Sequence, residues 1–106
     1  MKLLKLHELV GHDVYEFCYP SNYPKNWNED SLYIDSDDIV ILQPYFEQVF
    51  SQFSYYGQQK IMLFEWKNIE ELCLLEKPKY KNFFNQINDW IRCDPMKSNF
   101  LWLLGV

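Results

Sequence analysis

A long stretch of this chain contains no basic residue. Residues 26–59 include no lysine, arginine or histidine but six acids, so the formal charge of this stretch is −6, against −5 for the whole 106-residue chain. Phosphate binding requires a basic face, so the acidic balance argues against nucleic acid as a direct partner. We call residues 26–59 the acidic stretch, and we expect its partner to be a cationic protein.

Glycine and long apolar runs are also scarce. The chain has three glycines, each isolated in the sequence, so no phosphate-cradling glycine loop can be formed. No apolar run reaches the roughly 18 residues that a membrane span needs. The first residues, MKLLKLHELVGHD, are interrupted by His7, Glu8 and His12 and are too polar for a signal peptide. We therefore expect a cytoplasmic protein without a membrane partner.

The cysteines form no recognisable framework. Cys18, Cys73 and Cys93 are odd in number and widely spaced, with no CxxC pair. In a reducing compartment such thiols pack as small, inert hydrophobic groups, and we expect them to be buried. A nucleophile pair of Cys18 with His12 is an alternative, but no local signature surrounds it. We predict that the protein is not an enzyme.

Two motifs that suggest metal binding fail on spacing. His7 and His12 are five residues apart, which places their rings about 140° apart on a helix instead of on one face. Asp35, Asp37 and Asp38 lack the glycine and the later ligands of a calcium loop. These three acids instead suit a helix N-terminus, where the helix dipole favours negative charge. We expect no metal or cofactor.

The composition indicates one small folded domain covering residues 1–106. Apolar residues make up 48% and aromatic residues 19% of the chain, which excludes disorder. Short β-rich runs predict strands at Lys2–Leu6, Val14–Tyr19 and Ser31–Asp35, and an extended segment at Asn99–Val106. The fold class that we predict is α+β, with three or four helices packed on a few short strands.

Apolar periodicity predicts the helices. Ser36 can cap a short helical turn at Ile39–Leu42, and Pro44 suits the first position of a new helix that reaches Phe53. The best periodic segment is residues 79–93. The predicted core residues are Phe46, Phe50, Phe53, Phe83, Phe84, Ile87 and Trp90.

Residues 60–76, between these helices, fit more than one secondary structure. The run Lys60–Trp66 fits either a strand or a helix start, because a short apolar run does not reveal its period. Asn68 followed by Glu71 predicts a capping box for a helix at Ile69–Glu76.

Aromatic residues are interleaved with the acids of the acidic stretch. Charge can steer the encounter with a basic partner, and flat amphipathic rings can supply contact area at low entropic cost. The alternative is a solvated acidic face above an ordinary aromatic core. The predicted partner-binding residues are Trp27, Glu29, Asp30, Tyr33, Asp35, Asp37, Asp38, Tyr45, Glu47, Tyr55 and Tyr56.

Three segments resemble a known family. Residues 53–57 (FSYYG), followed by Lys60-Ile61 and Trp66, are similar to a motif of small immunity proteins from bacterial polymorphic toxin systems, including contact-dependent growth inhibition. Residues 36–44, with an acidic start, a leucine and a proline, and the closing segment 100–106 (FLWLLGV), resemble two further motifs of these proteins. The resemblance covers roughly the C-terminal two-thirds of the chain.

The resemblance implies a function and a structural detail. Such a protein binds and neutralises one cognate toxin and has no catalytic residues. Many of these toxins are nucleases, whose cationic groove an acidic surface could cover. The resemblance also implies that Lys60–Trp66 begins a helix that runs to Glu76.

The sequence is also compatible with three other functions. The chain could be an acidic regulatory or assembly subunit that binds another basic protein, which would use the same surface. It could be a small cysteine-dependent enzyme, or a ligand-binding module with an aromatic pocket. The sequence leaves the oligomeric state undetermined.

Overall fold

The fold is built on an antiparallel sheet with helices on one face. A computed structural model describes residues 1–54 and 57–105, which form one α+β domain with five strands and three α-helices. The strands are β1 (Leu3–Leu4), β2 (Val14–Cys18), β3 (Leu32–Asp35), β4 (Gln58–Met62) and β5 (Phe100–Gly105). The helices are α1 (Ser36–Val49), α2 (Leu63–Glu76) and α3 (Lys81–Arg92), and short 3-10 turns occur at Leu6–Glu8, Pro20–Asn22 and Pro78–Tyr80.

The C-terminal strand lies inside the sheet. The strand order is β1-β3-β2-β5-β4, so β5 pairs with β2 on one side and with β4 on the other. In the register, Phe17 of β2 lies opposite Leu103, and Ile61 of β4 lies opposite Leu101. The prediction of a buried extended segment at the C-terminus is therefore confirmed for the described residues.

The two faces of the sheet have different coverings. Successive side chains of a strand point to opposite faces. Phe17 of β2 points to the helices, where its ring lies 5.7 Å from that of Trp66. Its neighbour Glu16 points to the other face, which residues 19–31 cover. On that outer face, the ring of Tyr23 stacks on Trp102 at 3.9 Å.

The core lies between the sheet and the helices. Six of the seven predicted core residues are buried, and Phe53 is half-buried against the same cluster, with its ring 4.7 Å from that of Phe46. Alanine in place of a fully buried phenylalanine here would cost about 3–5 kcal/mol of folding free energy. The six buried residues are Phe46, Phe50, Phe83, Phe84, Ile87 and Trp90.

The prediction of two helical segments around Pro44 is wrong. A single helix, α1, runs through Pro44 and ends at Val49. An interior proline removes one helical hydrogen bond, but its ring here points to solvent. Ile39, Leu42 and Phe46 lie on one side of α1 and are buried, so burial of this continuous apolar face outweighs the local cost.

Helix α2 begins earlier than its predicted capping box. The segment 60–66 is divided: β4 ends at Met62 and α2 starts at the next residue. The backbone N–H of Met62 donates to the Glu65 carboxylate at 2.9 Å, so Glu65 satisfies a donor at the helix start. Asn68 therefore lies inside the helix and does not cap it. The helix ends at Glu76 as predicted, but it begins at Leu63, so the start at Lys60 that the resemblance implied is wrong.

The remaining predictions differ mainly at their boundaries. The strands β2 and β3 are confirmed, one residue shorter than predicted in each case. The first strand contains only Leu3–Leu4, because the chain turns into a 3-10 helix at Leu6. The last helix is confirmed as Lys81–Arg92.

Candidate functional site

The start of α1 and the start of β2 bring four acidic residues close together in the fold. Asp35, and not Ser36 as predicted, is the N-cap of α1, and its side chain accepts a 3.0 Å hydrogen bond from the backbone N–H of Asp37. The backbone carbonyl of Asp13 accepts from the N–H of Ser36 at 3.0 Å, which brings Asp13 to the same place. We call Asp13, Asp35, Asp37 and Asp38 the acidic corner.

Asp13 was not among the predicted contact residues. It precedes the acidic stretch in the sequence and reaches the corner only because β2 pairs antiparallel with β3, with Val14 opposite Asp35. The available signal was an acid directly before one predicted strand and another acid at the end of the next predicted strand. The pairing partner had to be known before that signal could be used.

The acidic corner has no salt bridge within the described part of the chain. The ion pairs among the described residues lie elsewhere: Lys81 pairs with Glu70 at 3.7 Å, and Arg92 pairs with Asp89. No cation of the described residues is therefore paired with the negative charge at this end of the molecule. The dipole of α1 stabilises the carboxylates of its first turn.

One side of α1 continues the acidic corner along the surface. Asp37, Val40, Pro44 and Glu47 are spaced by three, four and three residues, which places them on one side of the helix. All four are exposed, and 59% of the surface of Val40 is accessible. From Asp37 to Glu47 this side extends about 15 Å at 1.5 Å per residue. It has a carboxylate at each end and apolar side chains in the middle.

Glu29 and Asp30 lie at the other end of β3. Five residues of nearly extended chain separate Asp30 from Asp35, a distance of about 16 Å. The side-chain amide of Asn22 donates to the Asp30 carboxylate at 2.7 Å, and the indole N–H of Trp90 donates to the Asp30 carbonyl at 2.8 Å. The acids of the acidic stretch are therefore divided into two groups and do not form one cluster.

Two predicted contact residues are buried and cannot meet a partner in this fold. Tyr33 has no accessible surface and Tyr45 has 1%. Tyr33 points to the outer face of the sheet, under residues 19–31, and its hydroxyl donates to the Asn28 carbonyl at 2.7 Å. Tyr45 lies on the buried side of α1, and its hydroxyl donates to Glu76 at 3.2 Å. Burial raises the pKa of both phenols.

The predicted contact residue Trp27 is only partly accessible. Trp27 is half-buried, with a backbone φ of 61°. Its ring meets the edge of His12 at 5.3 Å and stacks near Tyr33 at 6.1 Å, so part of it remains accessible. Tyr55 and Tyr56 lie outside the described residues.

A buried carboxylate, which sequence reasoning missed, fixes residues 19–31. Glu16 has no accessible surface. Its carboxylate accepts hydrogen bonds from the backbone N–H groups of Trp27 at 2.7 Å and Asn28 at 3.2 Å, and from the Asn28 side chain at 3.0 Å. The Ser31 hydroxyl donates to it at 2.6 Å. A glutamate in the apolar run VYEFC was the sequence signal for such a site.

The three cysteines differ in burial. Cys18 and Cys73 are buried, as predicted, but Cys93 is exposed at the end of α3, so the prediction is wrong for that residue. Burial, with a smaller contribution from Glu16, raises the pKa of the Cys18 thiol to about 12. This disfavours the thiolate that a nucleophile needs near neutral pH.

A search of residues 1–54 and 57–105 found no group of three or more metal-ligating side chains and no helix long and apolar enough to cross a membrane. No protein family, curated protein or solved structure was found to match this chain.

Proposed function

We propose that this protein binds a basic partner protein and covers a cationic site on it, as an immunity protein neutralises its cognate toxin. The observation that carries the proposal is the exposed side of α1. Asp37 and Glu47 flank the exposed side chains of Val40 and Pro44. An apolar centre with a charged rim is the composition of a protein–protein interface.

The electrostatics favour a basic partner. The carboxylates of the acidic corner have no salt-bridge partner within the described residues. Association between oppositely charged surfaces can approach 10⁸ M⁻¹s⁻¹ or so at low salt, against about 10⁵–10⁶ for neutral ones. A nuclease has the cationic groove that such a surface fits, and the resemblance of three segments to toxin immunity proteins supports this class of partner.

The experiment tests binding and toxicity separately. The protein encoded by the adjacent gene is produced alone and together with this chain, and growth of the producing cells is recorded. Affinity is then measured by calorimetry at low and high salt. We expect the partner to arrest growth when alone, this chain to restore growth, and salt to weaken binding. A partner that binds without being toxic would support the acidic-subunit alternative instead.

A charge reversal locates the binding surface. Glu47→Lys should weaken binding at least about tenfold, because it places a cation against a cationic site. Asp89→Lys is the matched control: it changes the net charge equally, but on α3, where Asp89 is exposed and pairs with Arg92. Equal weakening by both variants, or no weakening by either, would contradict the assignment to α1.

A further inference from the structure

The solvent side of α2 carries two large apolar side chains. Phe64 is 66% and Leu75 is 83% exposed. Asn68 and Glu71 lie between them, and spacings of four, three and four residues keep all four side chains within about 60° of arc on the helix. We call these four residues the α2 stripe. The side of α2 opposite the stripe is buried and contains Trp66, Ile69 and Cys73.

The α2 stripe reads the same in both directions. Its order is apolar, polar, polar, apolar, and its spacing of four, three and four is symmetric about the centre. A two-fold interface uses the same surface on both subunits and therefore has to be self-complementary. If a second copy of α2 lies antiparallel to the first, Phe64 faces Leu75 of the second copy, and Asn68 faces Glu71 of the second copy.

Charge favours this antiparallel arrangement. The amide of Asn68 can donate a hydrogen bond to the Glu71 carboxylate that it faces. Lys67 lies beside the stripe. Along the helix axis it is offset by about one residue from the Glu71 carboxylate of the second copy. A parallel pair would instead place Glu71 against Glu71 of the second copy, which is unfavourable. The arrangement that pairs the apolar residues therefore also gives Glu71 a hydrogen-bond donor and a nearby cation.

A groove beside the stripe can receive an apolar side chain. It has a volume of about 430 Å³ and is lined by residues of both α1 and α2. Val49 and Leu72 are half-buried in it, and Phe64 and Leu75 are at its sides. In packed helices, a side chain of one helix inserts between residues of its neighbour. The groove thus offers a place for Phe64 or Leu75 of the second copy.

We propose that the chain forms a two-fold dimer through antiparallel contact of the α2 stripes. This inference does not depend on the proposed function, because it rests on the α2 stripe and its test needs no partner protein. The contact buries two Phe64–Leu75 pairs and leaves no equal charges facing each other.

Sedimentation equilibrium over a wide concentration range tests the dimer. The unmodified chain is expected to associate as a dimer, and Leu75→Glu should weaken association at least about tenfold because the charge enters an apolar contact. Met96→Glu is the matched control, since Met96 is 68% exposed but lies outside α2. Leu75 is exposed, so circular dichroism should show an unchanged fold. A chain that stays monomeric throughout, or equal weakening by both variants, would overturn the proposal.

Cross-linking tests the orientation. In a Cys93→Ser background, which removes the exposed native thiol, Phe64→Cys and Leu75→Cys are prepared separately and then mixed. The mixture should form a disulfide-linked dimer, because the two new thiols face each other while the second Phe64–Leu75 pair remains intact. Either variant alone should not cross-link, since its two thiols lie about 16 Å apart along the helix axes. Cross-linking of a single variant would overturn the antiparallel arrangement.

Discussion

The hydroxyl of Ser31 donates a 2.6 Å hydrogen bond to the carboxylate of Glu16, and neither residue has accessible surface. The other donors to this carboxylate are backbone and amide groups of Trp27 and Asn28. Within the described residues its hydrogen-bond partners are therefore neutral groups. Glu16 joins the outer face of the sheet to the segment that carries Trp27, Glu29 and Asp30.

Replacing Glu16 should strongly destabilise the protein. Glu16→Ala leaves several buried donors without an acceptor, each of which costs about 1–3 kcal/mol, so we expect a loss of roughly 3–5 kcal/mol in the free energy of unfolding. Urea denaturation measures this loss. Glu8→Ala is the comparison, because Glu8 is exposed and should change stability by about 1 kcal/mol at most. Similar values for the two variants would show that the buried network contributes little.

Asp35 should act as a helix cap through its side-chain oxygen and not through its charge. Asp35→Ala removes the acceptor for the Asp37 N–H and should cost about 1 kcal/mol. Asp35→Asn keeps an acceptor oxygen and should lower the free energy of unfolding by only about 0.3 kcal/mol. Thermal unfolding of the two variants distinguishes cap from charge, and an equal loss in both would assign the effect to charge.

Pro44 should reduce the stability of the helix that contains it. Because proline removes a hydrogen bond in a helix interior, we expect Pro44→Ala to raise the free energy of unfolding by about 1–3 kcal/mol. Pro78 is the control: it occupies the first turn of a 3-10 helix, where proline is tolerated, so Pro78→Ala should have a smaller effect. If Pro44→Ala destabilised the protein, uninterrupted helical geometry at this position would be in doubt.

One of the three thiols should react in the native state. Cys93 is exposed, whereas burial raises the pKa of both Cys18 and Cys73. Titration with a chromogenic disulfide near neutral pH should show one fast thiol per chain, and Cys93→Ser should abolish it. A fast thiol that persists in Cys93→Ser would contradict the burial of the other two.

Stability should fall in alkaline solution. The Cys18 thiol has an ordinary pKa of 9.0, and burial raises it to about 12 in the folded protein. Between these values the unfolded chain has lost the proton that the folded chain retains, so the free energy of unfolding falls as pH rises from 9.0, by at most about 1.4 kcal/mol per pH unit for this group.

Urea titrations at several pH values, under reducing conditions, measure this slope. Tyr19 and Tyr33 should add to it at higher pH, because burial raises the pKa of both phenols. Cys18→Ala should reduce the slope just above pH 9.0, and Cys73, whose pKa burial also raises, should supply part of the slope that remains. An equal slope in Cys18→Ala would refute the assignment.

Sequence patterns located the elements that depend on short-range order. The periodic apolar residues of α3 predicted that helix closely, because its buried side is set by the spacing within one segment. The same reasoning failed at Pro44, where a local rule against interior proline was outweighed by burial of residues on both sides of it. It left Lys60–Trp66 undecided between a strand and a helix start, because this run combines the end of a strand with the start of a helix.

The candidate site shows the same division. The run Ser36-Asp37-Asp38 could be predicted as a helix start from its residue types, and both acids do lie in the first turn of α1. Their proximity to Asp13 could not be predicted, and neither could the burial of Tyr33 and Tyr45. Those facts depend on which strand pairs with β3 and on which side of α1 faces the sheet.

The sequence by itself determined how charge and apolar side chains are distributed along the chain, because these are properties of consecutive residues. Only the tertiary structure decided which acidic residues lie close together, which tyrosines are buried and which side of α2 is exposed to solvent. Each of these outcomes requires segments far apart in the sequence to be packed together, and the free energy of burying all of them at once selects the arrangement.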